Sequence, residues 1–368
     1  MHLKRRDFMI NAAMSCAGLS FSACSSIGPR RFELKPKISD FTFDVTHQKP
    51  TGGTMPMGEI GGTGIKVSKF SFGAHMPKEL VPYQKEREFM IREAYDLGIN
   101  LFDIYDDGNW KIYQYEPMGR YLAPVINDVV ISIIMSPYDG RTTEQEFVRM
   151  LKLFNRDYID MVRVYSTSPE QQNWGDWDKI FKLKEKGYIR AVGLPIHYEK
   201  EIKIVLETQP IDYVILPYNF YHNLLYDGSF AGDLNPLVKK LREKKIGVVT
   251  MKPFGTDWFV QPLIRIGKKL DKTKEISVPQ AMLRHIINSG LNPDTTLGGM
   301  YSLDNVYENV CAYFNPEMSA DEKTLLEKMK EVSKIESHAW MPKYYKFLEK
   351  WASRIPHDRQ LYSEIKAG

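Results

Sequence analysis

Between Thr54 and Asn309 short apolar runs alternate with amphipathic segments eight times, and this alternation constrains the chain more than any other feature. The runs fall at 69–72, 100–104, 129–135, 158–164, 189–194, 213–216, 247–251 and 295–297. Helical periodicity lies between them, at 85–97, 143–154 with Thr142 as N-cap, 177–186, 234–245, 279–288 and 302–311. Runs such as Val129-Val130-Ile131-Ser132-Ile133-Ile134 are apolar on both faces, as strands covered by helices must be. Eight βα units in roughly 250 residues predict an α/β fold, a closed (β/α)8 TIM barrel. The rival, a doubly wound open sheet, lacks a G-x-G-x-x-G after its first strand. Upstream, 55–60 and 65–67 flank Gly61-Gly62-Thr63-Gly64, which predicts an N-terminal β-hairpin capping the barrel's bottom. A charged amphipathic helix over 319–335, capped by Ser319, and an aromatic, basic tail over 340–368 predict a C-terminal helical extension packed on the exterior. The barrel is thus expected over 54–315 and the extension over 316–368.

The first 23 residues read as an export signal. Lys4-Arg5-Arg6-Asp7-Phe8 is a basic head with a twin arginine, and the apolar run from Ala12 to Ala23 is too short to span a bilayer. Phe21-Ser22-Ala23-Cys24 is similar to a lipobox, so Cys24 is the expected lipidation site and residues 24–53 the expected tether. The product is then a membrane-anchored lipoprotein on the periplasmic side.

A net charge of +4 with interspersed signs gives no basic surface for nucleic acid. Three cysteines, Cys16, Cys24 and Cys311, have neither zinc-ligand nor iron–sulfur spacing, so no metal is expected.

Seven motifs in order resemble the aldo/keto reductase family. They are Gly64-Ile65-Lys66-Val67-Ser68-Lys69-Phe70-Ser71-Phe72-Gly73, Gly98-Ile99-Asn100-Leu101-Phe102-Asp103, Asp157-Tyr158-Ile159-Asp160, Gly187-Tyr188-Ile189-Arg190-Ala191-Val192-Gly193, Pro217-Tyr218-Asn219, Gly247-Val248-Val249-Thr250-Met251-Lys252-Pro253, and Gly299-Met300 with Glu308-Asn309. The resemblance implies NAD(P)H-dependent reduction of a small carbonyl substrate by an Asp, Tyr, Lys and His at the strand ends. Asp103 matches the family's Asp. The loop that holds the Tyr is about three residues longer here, so Tyr105, Tyr113 and Tyr115 are all candidates. Ile134 stands where the family has Lys, and Tyr165, itself a candidate proton donor, where it has His. An isoleucine supplies no cation beside Asp103, so the resemblance implies a degenerate tetrad.

Cofactor contacts are mixed. Pro195-Ile196 and Ile215 replace polar contacts to the nicotinamide amide, and Asn305 replaces the Arg that reads a 2′-phosphate. Lys252, Gly255, Gly299, Glu308 and Asn309 remain as a pyrophosphate and adenosine cradle. His75, His197 and His222 follow strands or lie in loops with no metal-ligand spacing. The losses keep two alternatives open: a non-catalytic exported barrel that binds a small molecule or a protein partner, and a barrel using Asp103, His75 or Tyr165 as acid or base in other chemistry.

Overall fold

Met57–Glu59 (β1) and Lys66–Ser68 (β2) pair antiparallel as the expected hairpin, and each of the eight apolar runs becomes a barrel strand. The computed structural model describes residues 43–340 except 77–79, 105, 107–112, 136–141, 165–173, 209–210, 222, 227–228, 231 and 256–261. The first six barrel strands are β3 (Phe70–Gly73), β4 (Leu101–Ile104), β5 (Val130–Met135), β6 (Ile159–Val164), β7 (Ile189–Pro195) and β8 (Tyr213–Pro217). A short antiparallel pair, β9 (Leu225–Tyr226) and β10 (Ser229–Phe230), precedes the last two, β11 (Gly247–Met251) and β12 (Thr295–Gly299). All eight are parallel, in the closed order β11-β12-β3-β4-β5-β6-β7-β8, with β8 pairing back to β11.

Helices cover the outside: α1 (Gln84–Asp96), α2 (Tyr115–Leu122), α3 (Thr143–Phe154), α4 (Trp174–Glu185), α5 (Glu199–Thr208), α6 (Asn235–Glu243), α7 (Pro262–Leu270), α8 (Val278–Ile287), α9 (Leu303–Phe314) and α10 (Ala320–Trp340). Thr142 caps α3 in a reciprocal box with Gln145, and Ser319 caps α10 in the same way with Glu322. The extension α10 packs on α7 and α8, while the expected tail over 341–368 lies outside the described residues. Among the described residues no helix is long and apolar enough to cross a membrane.

Successive strand residues point to opposite faces, so each strand feeds two cores. Outward residues such as Phe72, Phe102, Ile131 and Val162 pack beneath the helices. Inward residues Leu101, Val130, Met161, Val249 and Leu297 pack instead on Ile60, Ile65 and Val67, so the hairpin plugs the barrel's N-terminal end. The plug fits closely. A β-carbon on Gly61, whose φ is +49°, would lie 2.4 Å from the Lys245 carbonyl oxygen.

The acids at the strand starts are structural. Asp160, Asp212 and Asp294 accept the backbone N–H of Ile131, Val192 and Val248 at 3.0, 2.7 and 2.9 Å, tying each strand to a neighbour at the bottom rim. Asp160 also takes Arg156 at 2.8 Å and Arg190 at 2.7 Å, and both guanidinium groups lie over the Tyr158 ring. The Asp157-Tyr158-Ile159-Asp160 motif therefore serves the bottom of the barrel, where barrel folds place stability.

Candidate active site

Parallel register places Asp103 beside Ser132, and Ile134 beside Arg163, with all four side chains on the inward parity of their strands. At the C-terminal half of the barrel this parity joins three strands in one polar cluster. Asp103, 4% exposed, accepts from Ser132 Oγ at 2.7 Å and from Arg163 Nη2 at 2.7 Å, while Arg163 Nη1 bonds its other oxygen and reaches Ser132 Oγ at 3.1 Å. This corrects the expectation that Ile134 leaves Asp103 without a cation. The cation comes from the fourth barrel strand instead of the third, and as a bidentate guanidinium it matches the carboxylate geometry better than an ammonium would.

Tyr213 completes the layer. Its fully buried ring crosses the interior where a β-carbon on Gly193 would lie 2.2 Å away, so glycine is what admits it. Burial pushes its phenol well above the usual tyrosine range, against the pull of Arg163. A phenol so held is a filler of the interior and a poor acid at neutral pH. Sequence reading missed both Arg163 and Tyr213. The signal available was position: each lies on the inward parity of a strand whose other inward residues are apolar.

Above this layer the same parity brings Ile134, Pro195, Pro217, Met251, Gly73 and Gly299 to the mouth, so its floor is apolar.

The tyrosine candidates separate. Tyr113 is 53% exposed, and among the described residues the hydrogen bonds to the buried Asp103 carboxylate come from Ser132 and Arg163. Tyr115 is in the core, its hydroxyl donating to the Ile134 carbonyl at 2.7 Å from behind the third barrel strand. Tyr105, Tyr165 and His222 lie outside the described residues. Asp106 ties the start of α2, its carboxylate accepting the Gln114 and Tyr115 N–H groups and taking Arg149 at 3.1 Å. Burial raises the Asp106 carboxyl, and these donors oppose it.

Across the mouth, Lys252 follows β11 with a left-handed backbone, φ +59°. Its carbonyl accepts from Asn219 Nδ2 at 3.0 Å and from the Gly255 N–H at 3.2 Å, which hold the turn. The ammonium is 3.2 Å from His197 Nε2, and His197 is buried after β7, with Glu201 receiving the N–H groups of His197 and Tyr198. Strain of this kind in a non-glycine residue persists where surrounding structure enforces it, often at functional sites. The turn presents Lys252 and Gly255 together, as an anion cradle needs. Gly299 ends β12 close to Tyr301, whose hydroxyl would lie 3.2 Å from a β-carbon there, a tight contact. His75 is buried after β3.

The α9 residues expected to meet the adenosine are covered by a segment of the chain itself. Residues 43–53, expected as the end of the tether, run as a strap over α9 and α1. Thr46 and His47 surround Asp304: the two backbone N–H groups donate at 2.7 Å each, Thr46 Oγ1 at 3.0 Å, and His47 Nδ1 lies at 2.9 Å. Against the effect of burial, these donors hold the Asp304 carboxyl below its ordinary range. His47 Nε2 is 3.6 Å from Glu308, which also accepts from Ser277 Oγ at 2.8 Å and whose carboxyl burial raises. Lys49 pairs with Glu93, and Phe314 occupies the space where Gly53 would carry a β-carbon. Asn309 is buried beside Glu308, and the Asn305 side chain turns back to accept the Tyr301 N–H at 3.2 Å. Among the described residues no group of three His, Cys, Asp or Glu side chains is placed to hold a metal.

The aldo/keto reductase family model matches residues 70–331. The chain belongs to the aldo/keto reductase family. It is 25% identical to L-galactose dehydrogenase of Arabidopsis thaliana, across 76% of this chain and 95% of that one. It is 23% identical to the chloroplastic pyridoxal reductase of the same plant, across 62% and 66%. The fold matches the holo form of aldo-keto reductase AKR11C1 from Bacillus halodurans with a TM-score of 0.56 at 17% identity, over 75% of this chain and 96% of that structure. Family membership makes the protein an oxidoreductase and sets aside the reading of a non-catalytic binding barrel.

Proposed function

We propose that this aldo/keto reductase uses NAD(P)H to reduce a small, apolar carbonyl compound at the C-terminal mouth of the barrel, with a tetrad rebuilt around Asp103 and Arg163. The observation that carries the reading is the Lys252 turn, with its left-handed backbone, facing His197 across a mouth floored by Ile134, Pro195 and Met251. The phosphate end of a dinucleotide fits this structure, because the turn presents the Lys252 ammonium next to Gly255, which has φ +126° and no side chain to block a close approach. When bound, the reduced nicotinamide supplies hydride to the carbonyl carbon. The apolar floor of Ile134, Pro195 and Met251 excludes water and orients the carbonyl by shape, since none of these side chains offers a hydrogen bond.

Asp103 is engaged on both oxygens and so acts through position and charge. The proton for the carbonyl oxygen is assigned to Tyr105 or Tyr165, each two residues beyond a member of the Asp103–Arg163 pair. Single-turnover loss of reduced-nicotinamide absorbance across a carbonyl panel tests this. Replacing the true donor by Phe should slow the step about 10²–10⁴-fold, while Tyr113→Phe should leave it unchanged. With the family's Lys and His absent, wild-type turnover should lie well under the ~10 per second median of enzymes. A wild type that binds no nucleotide and oxidises none would end the reductase reading.

The twin arginine and Cys24 support export and lipid anchoring as the second part of this proposal. Replacing Arg5 and Arg6 with Lys should retain the precursor in the cytoplasm, and Cys24→Ala should release the product from the membrane fraction. Membrane retention of the Cys24→Ala protein would remove the lipid anchor.

A further inference from the structure

A cavity of about 250 Å³ lies beside the strap, between α1 and the loop after β12. Phe43 and Val45 of the strap form one wall, Tyr83 and Phe89 of the α1 region another, and Tyr301 a third, with Arg87 among them. The lining is thus largely aromatic and aliphatic, apart from one guanidinium, the Ser302 hydroxyl that caps α9, and the exposed edge of Glu86. Its size is just under the common range for small-molecule pockets, which suits a ligand with one ring or a short alkyl chain.

Arg87 is what makes the cavity chemically specific. It is 5% exposed, and its Nη2 donates to the Ala74 carbonyl and to Gln114 Oε1 at 3.3 Å. Its Nε has no acceptor, and neither does Nε2 of the fully buried Gln114 next to it. Among the described residues Arg87 makes no ion pair, and its closest aromatic neighbour is the Phe72 ring, 5.8 Å from the guanidinium carbon. Burial holds the guanidinium down to about 10, with only the Tyr121 and Tyr301 hydroxyls opposing that shift. Every other buried arginine described above has a carboxylate: Arg163 has Asp103, and Arg156 has Asp160. A buried cation without an anion and with unpaired donors beside it carries a desolvation cost that a bound carboxylate would offset.

We propose that this cavity binds a small carboxylate with an apolar body, its carboxylate on Arg87 and its body against Tyr83, Phe89 and Tyr301. The site is separate from the reductase mouth and does not depend on it. Phe43 and Val45 close the cavity, so occupancy also restrains the strap that carries Thr46 and His47. A ligand here is a second input to the protein, distinct from the carbonyl substrate.

Titration calorimetry of the full chain with phenylacetate and hexanoate, against phenylacetamide, tests the assignment. At least one acid should bind saturably and at least tenfold more tightly than the amide, and amide hydrogen exchange at Thr46 and His47 should slow on binding. Arg87→Gln should remove the preference for the acid. Val45→Trp, at a position 48% exposed on the cavity wall, should fill the cavity and abolish binding, which keeps the test decisive if Arg87→Gln does not fold. Lys252→Ala should change nothing. Absence of saturable binding by both acids, equal affinity for acid and amide, binding that survives Val45→Trp, or binding lost in Lys252→Ala would each overturn the proposal.

Discussion

Arg163→Met should destabilise the protein by about 3–5 kcal/mol, read as a lowered urea midpoint at unchanged slope. Both partners of the Asp103–Arg163 pair are almost wholly inaccessible to water, and Ser132 is the further side chain bonded to the carboxylate. Removing the guanidinium leaves a carboxylate in the barrel interior with one hydroxyl donor, and the desolvation of that charge then has no offset. Against a typical total of 5–15 kcal/mol the loss is large. Replacing the whole cluster, as Asp103→Leu with Ser132→Ala and Arg163→Met, should recover most of it, because an apolar core of similar volume carries no stranded charge. Arg163→Lys should fall between, keeping the charge but losing the fork that engages both oxygens. A single Arg163→Met variant as stable as wild type would mean that Asp103 has another partner. The triple variant also separates the cluster's stability role from its reductase role, since it should fold and yet lose turnover.

Thr46→Ala with His47→Ala should raise nucleotide affinity by roughly ten- to a hundredfold. The two side-chain bonds to Asp304, from Thr46 Oγ1 and His47 Nδ1, are each of a kind worth about 1.5–3 kcal/mol, the two backbone N–H bonds staying in place, and a ligand group approaching Glu308 has to displace His47 first. Removing the competitor removes that cost, at 1.4 kcal/mol per tenfold. The gain should be alike for NADH and NADPH, because Asn305 is committed to the Tyr301 N–H and brings no guanidinium to a 2′-phosphate. Fluorescence titration of both nucleotides checks the two statements at once. A fall in affinity would instead make the strap part of the cradle, and a strong preference for NADPH would place a cation that the described residues do not show.

Where local chemistry decides the outcome, the chain could be read residue by residue. The strands at 129–135 and 247–251 and the helix at 143–154 stand within a residue of expectation, because two-sided apolar runs and an N-cap with its Gln three residues on are signals contained within a few positions. The hairpin plug was equally legible: Gly61-Gly62-Thr63-Gly64 turns the chain whatever surrounds it. The positions of Asp103 and Lys252 at their strand ends were legible for the same reason, since both lie inside motifs of consecutive residues.

The remainder needed the closed barrel. Arg163 reads along the chain as one charged residue in an apolar strand, and it becomes the partner of Asp103 only when β4, β5 and β6 align with one inward parity across 60 residues of sequence. The strap shows still less in sequence, because residues 43–53 have no periodicity and Thr46 meets Asp304 258 positions away. Hydrophobic periodicity and capping chemistry are properties of neighbours along the chain and so determined the barrel, its plug and its capped helices. Which charge answers which across the interior is a property of register and closure, and so the tertiary structure alone decided that Arg163 neutralises Asp103, that Tyr213 fills the layer above the plug, and that His47 stands against Glu308.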